Sequence, residues 1–263
     1  MAGKTDFFKL RAEIPPLVYL AFSAGAFVLL GTGWAFFTYS GLVSPLFLPS
    51  PGDVLRSAVY LFKEAHFLYD IAVSTFRIMV GFFLAALVGV PLGILMGSLR
   101  IAEAFFEPVV GFIRYMPASA FIPLLILWVG IGDLQKILLI FIGTFFQLVL
   151  MVMDVAKNVP QELLDVSYTL GAKRWEVFRW VFLPASLPGI LDTLRICCGW
   201  AWTYVIVAEL VAAMSGVGYR IMTAQRLLQT PEIIVGILTI GVLGLVIDLL
   251  FKVLYRRLFA HWL

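Results

Sequence analysis

Few residues in this chain are of types that carry chemistry, and their spacing excludes most catalytic arrangements. His66 and His261 are isolated, and no cluster has metal-ligand spacing. Cys197 and Cys198 are adjacent within an apolar run, which gives neither a disulfide framework nor a metal site and fits plain helix packing. No nucleophile sits beside a base. No G-x-x-x-x-G-K-[ST] occurs, so the chain has no cradle for ATP phosphates, and any work it does draws energy from another chain or from an ion gradient. An ion-driven carrier usually places acids at the middle of its membrane spans; here Asp192, Glu209 and Asp248 fall near span ends. The densest group of charges lies elsewhere. Lys157, Glu162, Asp165, Lys173, Arg174, Glu176 and Arg179 crowd into residues 154–190, between two hydrophobic spans. Their chemistry is that of a surface that meets something.

The elements around this segment are set by hydropathy. The chain has 263 residues, 62% of them hydrophobic and 13% charged, with a mean hydropathy of +1.01. A soluble chain would be about half apolar and about a quarter charged. The excess falls in long runs, so the expected fold class is an all-α polytopic membrane protein. One membrane domain is expected over residues 16–255, after a polar N-terminus at 1–15 and before a basic, aromatic tail at 256–263. The net charge of +3 reflects loops at a membrane surface, not a nucleic-acid partner.

Six spans are predicted, at about 17–39, 70–97, 108–131, 136–153, 190–213 and 232–251. The first is read as a retained helix: it is longer than a signal-peptide core, and no A-x-A site follows. After it, Pro45, Pro49 and Pro51 break any helix. Asp53 then sits at an N-cap or first-turn position of a short amphipathic helix carrying Arg56 and Lys63. In the second span Gly81, Ala85, Gly89, Gly93 and Gly97 recur at every fourth position, a smooth ridge for close helix approach, and Pro91 predicts a kink. Arg100, Glu103 and Glu107 mark a short loop. The third span is bent or interrupted by Pro108, Pro117 and Pro123. Its Arg114 is too costly to face lipid at depth, and either snorkels to the surface or guards a pathway. In the fifth span Asp192 and Arg195 can pair, as can Asp248 and Lys252 in the sixth. Residues 214–231 form a Gly-rich turn and a short basic helix.

An even number of spans puts both termini and residues 154–190 on one side. That side holds Lys4, Lys9, Arg11, Arg100, Lys157, Lys173, Arg174, Arg179, Arg195, Lys252, Arg256 and Arg257. The other holds Arg56, Lys63, Arg77, Lys136, Arg220 and Arg226. The richer side is expected to be cytoplasmic. There, Gln161–Leu170 reads as one short helix ended by Gly171, and Ala172–Phe182 as a second, stopped by Pro184 and Pro188. Two short helices around a glycine elbow can plug into a groove on a partner protein, or lie as a hairpin on the lipid surface.

The segment DVSYTLGAKRWEVFRWVFLP resembles the pattern E-A-A, three residues, G, nine residues, I-x-L-P. That pattern marks the membrane subunits of bacterial ABC importers. Asp165, Val166 and Ser167 stand at E-A-A, Gly171 is the glycine, Val181 replaces isoleucine, and Leu183 and Pro184 close the match. FLPSPGDV, STFRIMVGF, RYMPASAFIPLLILWVGIGD, WAWTYVIVAELVAA and SGVGYRIMTAQ extend the likeness to the nitrate, sulfonate and taurine branch over roughly residues 45–255. The resemblance implies the type I importer permease fold, similar to that of MetI, with a second permease copy, two cytoplasmic ATPase subunits that bind ATP and Mg, and an extracytoplasmic solute-binding protein. It implies no cofactor in this chain and a small solute such as nitrate, a sulfonate, taurine or bicarbonate. Asp165, Ser167, Gly171, Ala172, Lys173, Arg174, Trp175, Leu183 and Pro184 would form the ATPase-coupling loop within 154–189. Arg114, Met116, Trp202, Tyr204 and Glu209 are the candidates for the pathway lining. A carrier or channel working without an ATPase, and a membrane enzyme, are the readings set against this one.

Overall fold

A computed structural model describes residues 14–259. These residues fold into helices and short connections. Helices α1 (Pro16–Tyr39), α3 (Phe67–Ser98), α6 (Asp133–Lys157) and α11 (Thr230–Leu258) are each long and apolar enough to cross a membrane, as is the continuous helical stretch Arg174–Val211. The pair α4 (Arg100–Arg114) and Ala118–Val129, bent by 85°, is long and apolar enough only when its two halves are taken together, as a broken span or a re-entrant loop. The second half of that pair is a 3-10 turn, Ala118–Phe121, running into α5 (Ile122–Val129). The tail expected at 256–263 begins inside α11; residues 260–263 and 1–13 lie outside the described residues.

The expected ridge on α3 is the axis of packing. A Cβ at Gly81 would come within 2.9 Å of the Ile137 carbonyl oxygen, and one at Gly93 within 2.7 Å of that of Val149. Met153 and Ala156 press on Gly97 in the same way. The residues met lie along one face of α6, so two backbones approach over most of a membrane thickness because α3 carries no side chains there. On its other side α6 receives α9 (Leu183–Ala212). The Tyr204 ring lies flat on Gly143, and Val155 fills the space at Gly189. Cys197 and Cys198 are buried in this packing.

Three expectations change. The charged loop at 100–107 is helical; the break is at Leu99 alone, whose extended backbone separates α3 from α4. Of the prolines expected to bend or interrupt the third span, Pro108 is carried inside α4 without ending it. The chain turns instead at Pro117, which starts the 3-10 turn. Pro184 and Pro188 likewise do not stop the second helix of the polar segment. The four residues of α8 (Arg174–Val177) run through a π-helical turn, Phe178–Phe182, directly into α9. There the Leu183 N–H donates to the Phe178 carbonyl, five residues back. The widened turn makes room for the proline ring, which would clash with a carbonyl in an ordinary turn.

Outside the bundle, Asp53 lies in the first turn of α2 (Pro51–Lys63), and the N-cap is Ser50. The Ser50 hydroxyl accepts from Asp53 N–H at 3.2 Å, and the Asp53 carboxylate accepts from Ser50 N–H at 3.3 Å. Helix α1 buries none of its residues and is tied to the rest through Trp34, whose Nε1 donates to the Pro49 carbonyl at 3.0 Å.

Candidate functional site

The polar segment folds as the glycine elbow its sequence predicts. Helix α7 (Gln161–Thr169) ends in a Schellman turn: Ala172 N–H donates to Ser167 O at 3.1 Å, and Gly171 N–H to Tyr168 O at 2.9 Å. Gly171 closes this turn with φ +86°, and no atom crowds the space a Cβ would occupy. The glycine is therefore required by backbone conformation, not by packing. Glu176 receives the Lys173 N–H at 2.7 Å and starts the next helix. Asp165 accepts from Gln161 Nε2 at 2.9 Å on the exposed side of α7, and the Ser167 hydroxyl donates back to Leu163 O at 2.7 Å.

No residue of α7 is buried. Its apolar residues nevertheless face outward: Leu163, Val166 and Leu170 are exposed, the last at 82%, as is Trp175 just beyond the elbow. Apolar side chains presented together on a rigid turn mark a contact surface. Leu183 and Pro184 are partly buried where the elbow joins α9.

The pathway candidates separate. Arg114, Met116 and Tyr204 line one recess of about 360 Å³, together with Gln147, Thr203 and Trp200. Arg114 is held over the Tyr115 ring at 4.9 Å and donates to its hydroxyl at 3.0 Å. Gln147 and Thr203 were missed in the sequence. Gln147 stands alone among apolar residues of α6, and Thr203 lies one residue before Tyr204. An amide inside a span was the available signal, since such a group is costly in lipid.

Trp202 and Glu209 do not join this recess. Trp202 is buried between α9 and α11 against Ile240 and Gly244. Glu209 is 1% exposed and belongs to an ionic cluster at the opposite end of α9 from the elbow. Its carboxylate accepts from Arg77 Nη1 at 2.7 Å, from the Ser74 hydroxyl at 2.8 Å and from Gly218 N–H at 2.8 Å. Arg77 also pairs with Asp133 at 2.6 Å. Asp70 accepts from Gly216 N–H at 2.8 Å and from Arg220 Nε at 2.5 Å. Arg220 additionally donates to the Ala65 carbonyl, beside His66, which takes a left-handed φ of +54° at the start of α3.

Arg77 and Lys136, which the orientation count placed at this end, are buried there at 3% and 2% exposure. A guanidinium in the apolar stretch of α3 needed an acid, and Glu209 in α9 needed a base. The expected local pairs do form: Asp192–Arg195 at 3.2 Å and Asp248–Lys252 at 2.7 Å, with Arg195 also reaching Asp248 at 3.3 Å to join α9 and α11.

The geometry agrees with what the chain resembles. Residues 89–260, which hold the recess and the elbow, match the family described as binding-protein-dependent transport system inner membrane component. The chain is 42% identical over 230 residues to a probable ABC transporter permease protein of Brucella melitensis, covering 88% of this chain and 92% of that one. It is 35% identical over 255 residues to the taurine transport system permease protein TauC of Escherichia coli, covering 95% and 93%. Its fold matches a chain of the methionine ABC transporter MetNI in an inward-facing conformation. There the TM-score is 0.65 at 22% identity, over 73% of this chain and 95% of that one.

Proposed function

The chain belongs to the family of binding-protein-dependent transport system inner membrane components, as a permease subunit of an ABC importer, and on that premise we propose that the α7–Gly171–α8 elbow is where two ATPase subunits drive it. The observation that carries this is the outward apolar set Leu163, Val166, Leu170 and Trp175 on a turn locked by Gly171. An amphipathic helix presented this way fits a groove on a partner protein. ATP and Mg are bound by those partner subunits. The permease works as a pair of identical copies around a shared pathway, and a solute-binding protein delivers the cargo at the other face.

The elbow and both termini face the cytoplasm in this reading. The excess of lysine and arginine on the elbow side of the spans supports this. ATP binding closes the two motors and brings the docked elbows together. The helix from Arg174 to Ala212 continues through its π turn, so it carries that motion across the membrane, and the bundle opens outward. Opening of the motors after hydrolysis reverses it.

The cargo we infer is a small anion of the sulfonate class. The taurine permease relative supports this, as does a recess of about 360 Å³ that combines Arg114 with the uncharged donors of Gln147, Thr203 and Tyr204. The test is uptake of labelled taurine by vesicles holding the assembled importer, alongside ATPase co-purification, for Asp165→Lys and Gly171→Pro. Inserted protein with ATPase binding and uptake both lost supports the docking elbow. Full docking and uptake in both variants would refute it and favour a hairpin lying on lipid.

A further inference from the structure

At the root of the elbow, the closely packed ends of α3 and α6 stand on one side and the helix that opens at Arg174 on the other of a crevice of about 980 Å³. Its floor is apolar, formed among others by Ile94 and Leu95 of α3 and by Phe178 and Phe182 of the π turn. Its mouth is basic, with Arg100, Lys157 and Arg174. The carboxylate among the lining residues is Glu103, and Lys157 engages it at 2.5 Å. Two exposed guanidiniums, Arg100 and Arg174, are left in excess.

The crevice also sits at a particular depth. Arg100 follows the last turn of α3, and Lys157 ends α6, so the mouth lies where two membrane-crossing helices leave the apolar layer. The apolar floor runs back along α3 toward Pro91. Exposed Trp180, with Arg179 over its ring at 5.4 Å, follows on the helix that opens at Arg174. Tryptophans of this kind collect at headgroup level.

We propose that this crevice binds one anionic phospholipid of the cytoplasmic leaflet. Its phosphate sits between Arg100 and Arg174, and an acyl chain lies on the floor made by Ile94, Leu95, Phe178 and Phe182. A free phosphate would need far less room and would gain nothing from that floor. A basic mouth above an apolar wall at the cytoplasmic surface is the chemistry that selects anionic lipid. Arg174 is the first helical residue after the elbow, so the lipid ties the root of the elbow to the membrane plane. The inference rests on the cytoplasmic placement of the elbow and adds a ligand to it.

The test is native mass spectrometry of the assembled importer, released from vesicles of phosphatidylcholine with and without phosphatidylglycerol. The chain is expected to retain phosphatidylglycerol in preference to phosphatidylcholine. Arg100→Gln should lower that retention on the order of fivefold, the contribution of one cation at an anionic surface. Leu95→Trp, which fills the floor from an exposed position, should remove both lipids. Equal retention of the two lipids, or unchanged retention in both variants, would overturn the proposal. So would a lipid held by the permease alone and absent once the ATPase subunits are bound, which would assign the crevice to the motor. ATPase co-purification is read from the same samples. Lipid preference lost with docking intact refutes only the lipid site, whereas docking lost in the native chain refutes the coupling reading beneath it.

Discussion

Arg77 Nη1 lies 2.7 Å from Glu209 Oε1, and neither side chain is more than 4% exposed. The pair joins α3 to the last turns of α9. Beyond it the N–H groups of Gly216, Val217 and Gly218 are received by Asp70, Ser74 and Glu209 in turn. The α9–α10 turn, leading into α10 (Val217–Arg226), is therefore built onto α3 by charge and backbone together. Removing Arg77 takes from the buried Glu209 carboxylate its ion-pair partner, which costs on the order of 3–5 kcal/mol, whereas removing Glu209 leaves Arg77 paired with Asp133 and costs less. Arg77→Met should lower the thermal unfolding temperature of the purified chain sharply, and Glu209→Leu less so, because Asp133 still engages Arg77. Arg77→Met with Glu209→Leu should cost less than the sum of the two, because the double variant buries no orphan of this pair. A simple sum would show that the two residues act independently.

Gly171 makes a different demand, on backbone alone. At φ +86° any L side chain is strained, although the space around it is open. Gly171→Ala should therefore cost roughly 1–2 kcal/mol locally, loosening the elbow while the membrane bundle stays intact. Gly171→Pro cannot take a positive φ and also loses the N–H that Tyr168 O accepts. The expected order of coupled uptake is glycine, then alanine, then proline, at equal amounts of inserted protein on a blot. Equal uptake by all three would mean that the elbow does not need its Schellman turn.

The ridge on α3 is a third case, in which the neighbour's backbone sets the limit. A side chain at Gly81 or Gly93 meets a carbonyl oxygen of α6, which cannot rotate away. Gly93→Val should overpack the α3–α6 contact by about 1–3 kcal/mol. Gly241→Val on α11 and Gly25→Val on α1 meet nothing within 4 Å and should be nearly neutral there. Thermal unfolding of the three variants in one detergent measures the contrast, and a neutral Gly93→Val would show that the helices can part without loss.

Much of this architecture was legible because a membrane span and a helix-ending glycine are local signals. The apolar helices, the α3 ridge, the acid in the first turn of α2 and the Gly171 elbow each depend on residues within a few turns of one another. The prolines were harder. Pro117 turns the chain, whereas Pro184 is absorbed because a π turn ahead of it supplies the room, and Pro188 is carried inside α9; nothing in the local sequence separates these outcomes. Long-range ionic pairing was not legible at all. Arg77 read as a loop charge and Glu209 as a pathway residue, although the cost of either one in lipid should have sent each in search of the other. The recess needed three helices to assemble, so Gln147 and Thr203 came into view only with the fold.

That recess supports the last prediction. Arg114 is the formal charge among its lining residues, beside the uncharged donors of Gln147, Thr203 and Tyr204. On the proposed route an anion would meet one full positive charge there, screened by water because Arg114 is exposed. At close range such a pair is worth about 1 kcal/mol in water and more where water is excluded. Replacing it by a carboxylate reverses the sign, so the change from attraction to repulsion is roughly double. Arg114→Glu should therefore cut taurine uptake by about tenfold or more, with ATPase co-purification unchanged, because Arg114 is remote from the elbow in the fold. Arg114→Gln should fall between the two and lose most of the salt dependence. Uptake by Arg114→Glu equal to the native rate would place the anion's route elsewhere. A matching loss of ATPase binding would show that the substitution had damaged the bundle and not the pathway.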